Sequence, residues 1–148
     1  MDYALLISQL EAITDCVDNN ITNLANAAAL LYNGLDDVNW AGFYLAEGGA
    51  LLLGPFQGKP ACVRIPRGKG VCGAAFESGK TLVVPNVHKF EGHIACDADS
   101  NSEIVVPLFN NGVVYGVMDI DSASLGRFTD SDREGLERFA KALEARLR

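Results

Sequence analysis

Two short glycine turns constrain this chain more than any other feature. Gly48-Gly49 lies between the runs VNWAGFYLA (38–46) and ALLLGPFQ (50–57). Asn110-Asn111-Gly112 lies between EIVVPLF (103–109) and VVYGVMDID (113–121). Turns this tight, built from residues that accept positive φ, join neighbouring antiparallel strands, and Asn-Gly is the signature of the type I′ hairpin. The flanking runs are β-branched and aromatic, as strands should be. CVRIP (62–66) and TLVV (81–84), the latter stopped by Pro85, read as two further strands.

Helical spacing is confined to three other places. Residues 3–15 place Leu5, Leu6, Ala12 and Ile13 on a helical stripe. After a candidate cap at Asp18-Asn19-Asn20, the residues Ile21, Leu24, Ala25, Ala28 and Leu31 recur at helical spacing up to Gly34. At the other end, Thr129 and Asp132 form a capping-box pattern, and Leu136, Phe139, Ala140, Leu143 and Leu147 mark one face. A short helix, GVCGAAFES, fits between Gly70 and Gly79. The expected order is ααβββαβ–loop–ββα, an α+β design with a central, mainly antiparallel sheet. The terminal helices are expected to pack together on one face, leaving a ligand pocket on the other.

The length of 148 residues suits a single domain spanning 1–148, with a core that needs no disulfide staples. The formal net charge of −7 argues against nucleic acid and against anionic lipid as partners. An early acid without a basic flank speaks against a secretory signal, and no apolar run approaches a membrane span. The reading is therefore cytoplasmic, and Cys16, Cys62, Cys72 and Cys96 are read as thiols in a reducing compartment.

Cys16, on a helical segment, reads as core packing. Cys96 stands instead in a polar, irregular stretch (85–101) that also holds both histidines; long irregular segments in compact domains are usually functional. Zinc is the competing reading for Cys62, Cys72, His93 and Cys96, but no CxxC knuckle occurs among them. Asp119 and Asp121 share one face of an otherwise apolar strand by alternation, as do Trp40 and Tyr44 on another. Acids on a buried strand need a partner or a ligand cation, and paired aromatics can wall a pocket.

The run GPFQGKPACVRIPRGKGVCG, then VVPNVHKFEGHIACDADSNSEIVVPL, then GVMDIDS and RFTDSDREGLE, resembles the free methionine-R-sulfoxide reductase family of GAF-domain proteins. The resemblance implies a single GAF-type domain, and an oxidoreductase that reduces free methionine-R-sulfoxide to methionine with no metal or organic cofactor. It implies that Cys96 is the nucleophile and Cys62 the resolving thiol, with Cys72 a third cysteine that can join the relay. It implies that Glu103, Asp119 and Asp121 hold the substrate's polar groups and that Trp40 and Tyr44 receive its methyl end. Thioredoxin is the implied reductant, and a homodimer fits the family. Two alternatives stay open. Cys72 could be the nucleophile with Cys96 resolving. The chain could also be a ligand-sensing GAF module without catalysis; such modules normally feed an output domain, for which 148 residues leave no room.

Overall fold

The computed structural model describes residues 1–94 and 98–148. Two helices, α1 (Tyr3–Thr14) and α2 (Asn20–Gly34), lead into β1 (Trp40–Glu47), β2 (Ala50–Gly58) and β3 (Arg64–Pro66). Helix α3 (Gly70–Ser78) and strand β4 (Leu82–Val84) follow, then a 3-10 turn at Val87–Lys89. Strands β5 (Ser102–Asn110) and β6 (Val113–Ser122) and helix α4 (Asp130–Glu144) complete the chain. The strands form one antiparallel sheet in the order β3-β2-β1-β6-β5-β4.

Both glycine turns do what their residues dictate. Gly48 and Gly49 take φ of 59° and 77°, and Asn111 and Gly112 take 54° and 77°, the left-handed pair a type I′ turn requires. Helix α4 begins with the expected reciprocal capping box between Thr129 and Asp132, and Asn19 caps α2 by accepting from the Thr22 N–H. Among the described residues no helix is long and apolar enough to cross a membrane.

The sheet separates two apolar layers. On one face α1, α2 and α4 bury Leu6, Leu10, Leu24, Leu31, Leu136 and Phe139 against Phe43, Ile104, Met118 and Ile120. On the other, α3 and the loops bury Val71, Cys72 and Phe76 against Trp40, Tyr44, Val105 and Val117. Thus the terminal helices do share one face, and the second face is left to a shorter helix and irregular chain.

Three local expectations need correction. Leu5 and Ile13 of α1 are exposed, while Tyr3, Leu10 and Thr14 are buried; the helix has apolar residues all round, and docking against α2 and α4 selects which of them turn inward. In α2, Ile21 and Ala25 are likewise exposed, and Asn23 and Ala27 are buried; Asn23 is accommodated by donating to the Val17 carbonyl at 3.0 Å. Cys16 is an exposed free thiol in the turn after α1, with φ 57°, and not part of the core.

Candidate active site

Strand register assembles the site. Trp40 lies opposite Asp121 across β1 and β6, and Asp121 lies opposite Glu103 across β6 and β5. Gly42 and Val105 flank Asp119 two positions further on. Residues directly opposite share a face, so Trp40, Tyr44, Glu103, Asp119 and Asp121 all project to the side opposite the terminal helices. Gly42 keeps that face open next to Asp119: a Cβ there would collide with Phe56 and the Trp40 ring. From above, α3 lowers Cys72 onto the same spot. These side chains line one cavity, closed at its rim by Pro60, Ala61, Lys69, His93 and Ile94.

The aromatic wall is fixed by backbone acceptors. Trp40 stacks between Tyr44 and Phe56, with ring centroids 5.9 and 5.2 Å away. Its indole N–H donates to the Lys59 carbonyl at 3.1 Å, and the Tyr44 hydroxyl donates to the Cys62 carbonyl at 3.0 Å. The wall therefore also positions the segment that carries Cys62. That residue precedes β3 rather than lying in it, and its sulfur is in a disulfide. On the opposite side, Lys59 pairs with Asp99 at 2.8 Å, and Asn39 donates to the Ser100 hydroxyl at 3.2 Å.

The acidic floor is electrostatically expensive. Glu103 is 8% and Asp119 5% exposed. Burial first, and then the neighbouring carboxylates, pushes both carboxyl groups well above their ordinary range. The Cys72 thiol, buried among Asp119, Glu103 and Asp121, is pushed up in the same way, burial being the larger cause. It is a neutral thiol, with Sγ 3.9 Å from Glu103 Oε2. Asp119 Oδ1 is buried with no hydrogen-bond partner among the described residues. Such an atom costs about 1–3 kcal/mol unless a ligand supplies a donor. The cavity thus sets buried acids and a thiol beside an aromatic wall.

Of the residues singled out from sequence, Trp40, Tyr44, Cys72, Glu103, Asp119 and Asp121 converge on this cavity. Cys96 lies outside the described residues. Of the competing zinc set, Cys72 and His93 line this cavity. Among the described residues, the group able to converge on an ion is Cys72 with Glu103 and Asp119, while Cys62 is committed to its disulfide. Sequence reasoning also missed Ile65, Val71, Ile94 and the pocket-lining position of His93. His93 meets His88 edge-on at 6.3 Å, and burial followed by that neighbour pushes its pKa down. His88 is itself held by Asn101, at 2.8 Å. His93 and Ile94 sit on irregular chain, where no periodicity marks them, and Ile65 and Val71 lie in the short elements β3 and α3.

A GAF-domain family model matches residues 10–147. The free methionine-R-sulfoxide reductase of Escherichia coli is 53% identical over 142 residues, covering 96% of this chain and 86% of that protein. The reduced form of fRMsr of Staphylococcus aureus superposes with a TM-score of 0.97 at 51% identity, covering 99% of this chain and 96% of that one. The free methionine-R-sulfoxide reductase of Neisseria meningitidis, solved in complex with its substrate, superposes at 0.94 with 44% identity, covering 97% and 87%. Cavity, fold and likeness agree, and the chain belongs to the free methionine-R-sulfoxide reductase family of GAF-domain proteins.

Proposed function

We propose that this protein reduces free methionine-R-sulfoxide to methionine, with Cys96 as nucleophile and Cys62 as resolving thiol. The observation that carries the reading is Asp119 Oδ1, a carboxylate oxygen without a hydrogen-bond partner among the described residues, at the floor of an aromatic-walled cavity. An amino-acid ammonium supplies the donors that it lacks, and Trp40 and Tyr44 suit the thioether methyl.

The chemistry follows from the groups present. A Cys96 thiolate attacks the sulfoxide sulfur, and a carboxyl of the raised Glu103–Asp119 pair gives its proton to the departing oxygen. The oxygen passes as hydroxyl from the methionine sulfur to the Cys96 sulfur as the bond between the two sulfurs breaks, so methionine leaves and the cysteine is left as a sulfenic acid. The Cys62 thiol condenses with it, releasing water and forming a disulfide, which an external dithiol such as thioredoxin reduces. No metal or organic cofactor enters these steps. The protonated, buried state of Cys72 supports Cys96 over Cys72 as nucleophile, since the thiolate is the reactive form. A cytoplasmic location and a homodimer complete the reading by family likeness.

The decisive assay is NADPH consumption by thioredoxin and its reductase with free methionine-R-sulfoxide. Cys96→Ser is expected to abolish reduction. Cys62→Ser is expected to release about one equivalent of methionine and then stall as a dimedone-trappable sulfenic acid. If Cys96→Ser instead keeps its single turnover and Cys72→Ser is dead, the two roles are exchanged.

A further inference from the structure

An ammonium ion accounts for the carboxylates of the cavity but leaves its buried thiol unexplained. The Cys72 sulfur and one oxygen each of Glu103 and Asp119 lie within 4.8 Å of one another. Cys72 Sγ lies 3.9 Å from Glu103 Oε2. All three residues are more than nine-tenths buried. They come from three different elements, α3, β5 and β6, so the framework holds them whether or not anything is bound. Asp119 Oδ1 adds a buried oxygen without a partner among the described residues. In a tetrahedral zinc site, with metal–sulfur and metal–oxygen distances of about 2.3 and 2.0–2.2 Å, ligand atoms stand about 3.5 Å apart. The ligand atoms of this trio, all within 4.8 Å of one another, stand close to that spacing.

From this geometry we propose that Cys72, Glu103 and Asp119 form a three-ligand site for one thiophilic divalent cation of the zinc class, and that the ion and the amino-acid substrate exclude each other. One sulfur and two carboxylate oxygens select such an ion over magnesium or calcium, which take oxygen alone. Three protein ligands and an open side toward the cavity leave the fourth position to water, as in exchangeable rather than closed zinc sites. The ion has no part in the reduction. It occupies the carboxylates and so makes the enzyme sensitive to free zinc. This exclusion rests on the substrate reading given above; the site itself does not.

The test uses the protein with Cys62 in its disulfide, which removes that thiol from competition. Co²⁺ is the spectroscopic probe, and Zn²⁺ affinity is measured against a chromophoric chelator. One ion per chain is expected, with a near-ultraviolet sulfur-to-cobalt charge-transfer band. Cys72→Ser is expected to abolish the band and weaken Zn²⁺ by about a hundredfold or more. Glu103→Gln and Asp119→Asn are each expected to weaken it by about tenfold or more, while Cys16→Ser changes nothing. Absence of stoichiometric binding, or a band that survives Cys72→Ser, overturns the site. Added methionine, after correction for its own chelation of Zn²⁺ in solution, is expected to raise the apparent Kd for Zn²⁺. If methionine binds by calorimetry yet leaves the Zn²⁺ affinity unchanged, the exclusion is overturned. If methionine fails to bind metal-free protein at all, the substrate reading fails while the site stands on its band.

Discussion

Glu103 and Asp119 carry a cost that the fold alone does not recover. Their carboxyl pKa values lie above those of the unfolded chain, so the folded protein holds protons that the unfolded one has released. Their contribution is most favourable below about pH 4, near the unfolded values, and is lost as pH rises toward the folded ones. The ligand-free protein is therefore expected to melt at progressively lower temperature between about pH 5 and pH 8 on their account. Glu103→Gln should flatten that slope and raise the Tm at pH 8 by about 2–4 °C. The same substitution should lower kcat/KM by about tenfold or more, a charge-assisted contact to substrate being worth about 1.5–3 kcal/mol. Calorimetric scans across this pH range, paired with the NADPH assay, check both halves; a variant that melts below wild type at pH 8 removes the carboxylates from the floor.

At the scale of elements, the α1–α4 contact shows packing overruling propensity. Gly135 lies inside α4, where alanine ordinarily gains about 1 kcal/mol. Here a Cβ would run into the Tyr3 ring. Gly135→Ala is expected to destabilise the protein, and denaturant unfolding reads the sign directly. Asp132 fastens the same junction. It accepts from the Tyr3 hydroxyl at 2.7 Å, from the Thr129 N–H at 2.9 Å and from Arg127 at 3.1 Å. Burial raises its pKa, but the bonds from Thr129 and Tyr3 and the Arg127 charge outweigh that and hold it below the ordinary range. A depressed carboxyl stabilises above the unfolded pKa, about 4, and its benefit is lost as pH falls through the folded value. Asp132→Asn should thus lower the Tm clearly at pH 7 and by much less at pH 3, the reverse of the slope from the cavity acids.

For the molecule as a whole, one sheet serves two unlike layers. The helical face is an apolar core, whereas the opposite face holds acids and a thiol under a rim of loop residues. On the proposed reading an ammonium meets Asp119, so a free amino acid is expected to bind more readily than a residue within a chain, which lacks that ammonium. Turnover is expected with the free R epimer of methionine sulfoxide, and little with the S epimer or with an oxidised protein. Side-by-side assays of the three substrates decide this, and equal rates on oxidised protein would sink the pocket assignment.

Much of this was legible in residue order because the rules involved are local. Glycine and asparagine dictated the two hairpins, Thr129 and Asp132 the start of α4, and two-residue alternation the shared face of Asp119 and Asp121. The same alternation is why the paired acids on one strand, and Trp40 with Tyr44 on another, could each be foreseen to share a face. What joins those faces is not local. Cys72 comes from α3, 31 residues before Glu103, and only the docking of that helix turns a small core residue into a thiol among carboxylates. The acceptors of Trp40 and Tyr44 are main-chain carbonyls of Lys59 and Cys62, which carry no side-chain signature. Helix α1 is apolar on more than one side, so periodicity left its inward face open, and the contacts with α2 and α4 decided that Leu10 is buried and Leu5 is not. Sequence determined the elements and their turns because each depends on a few adjacent torsions; tertiary structure decided the site because it depends on which distant surfaces exclude water together.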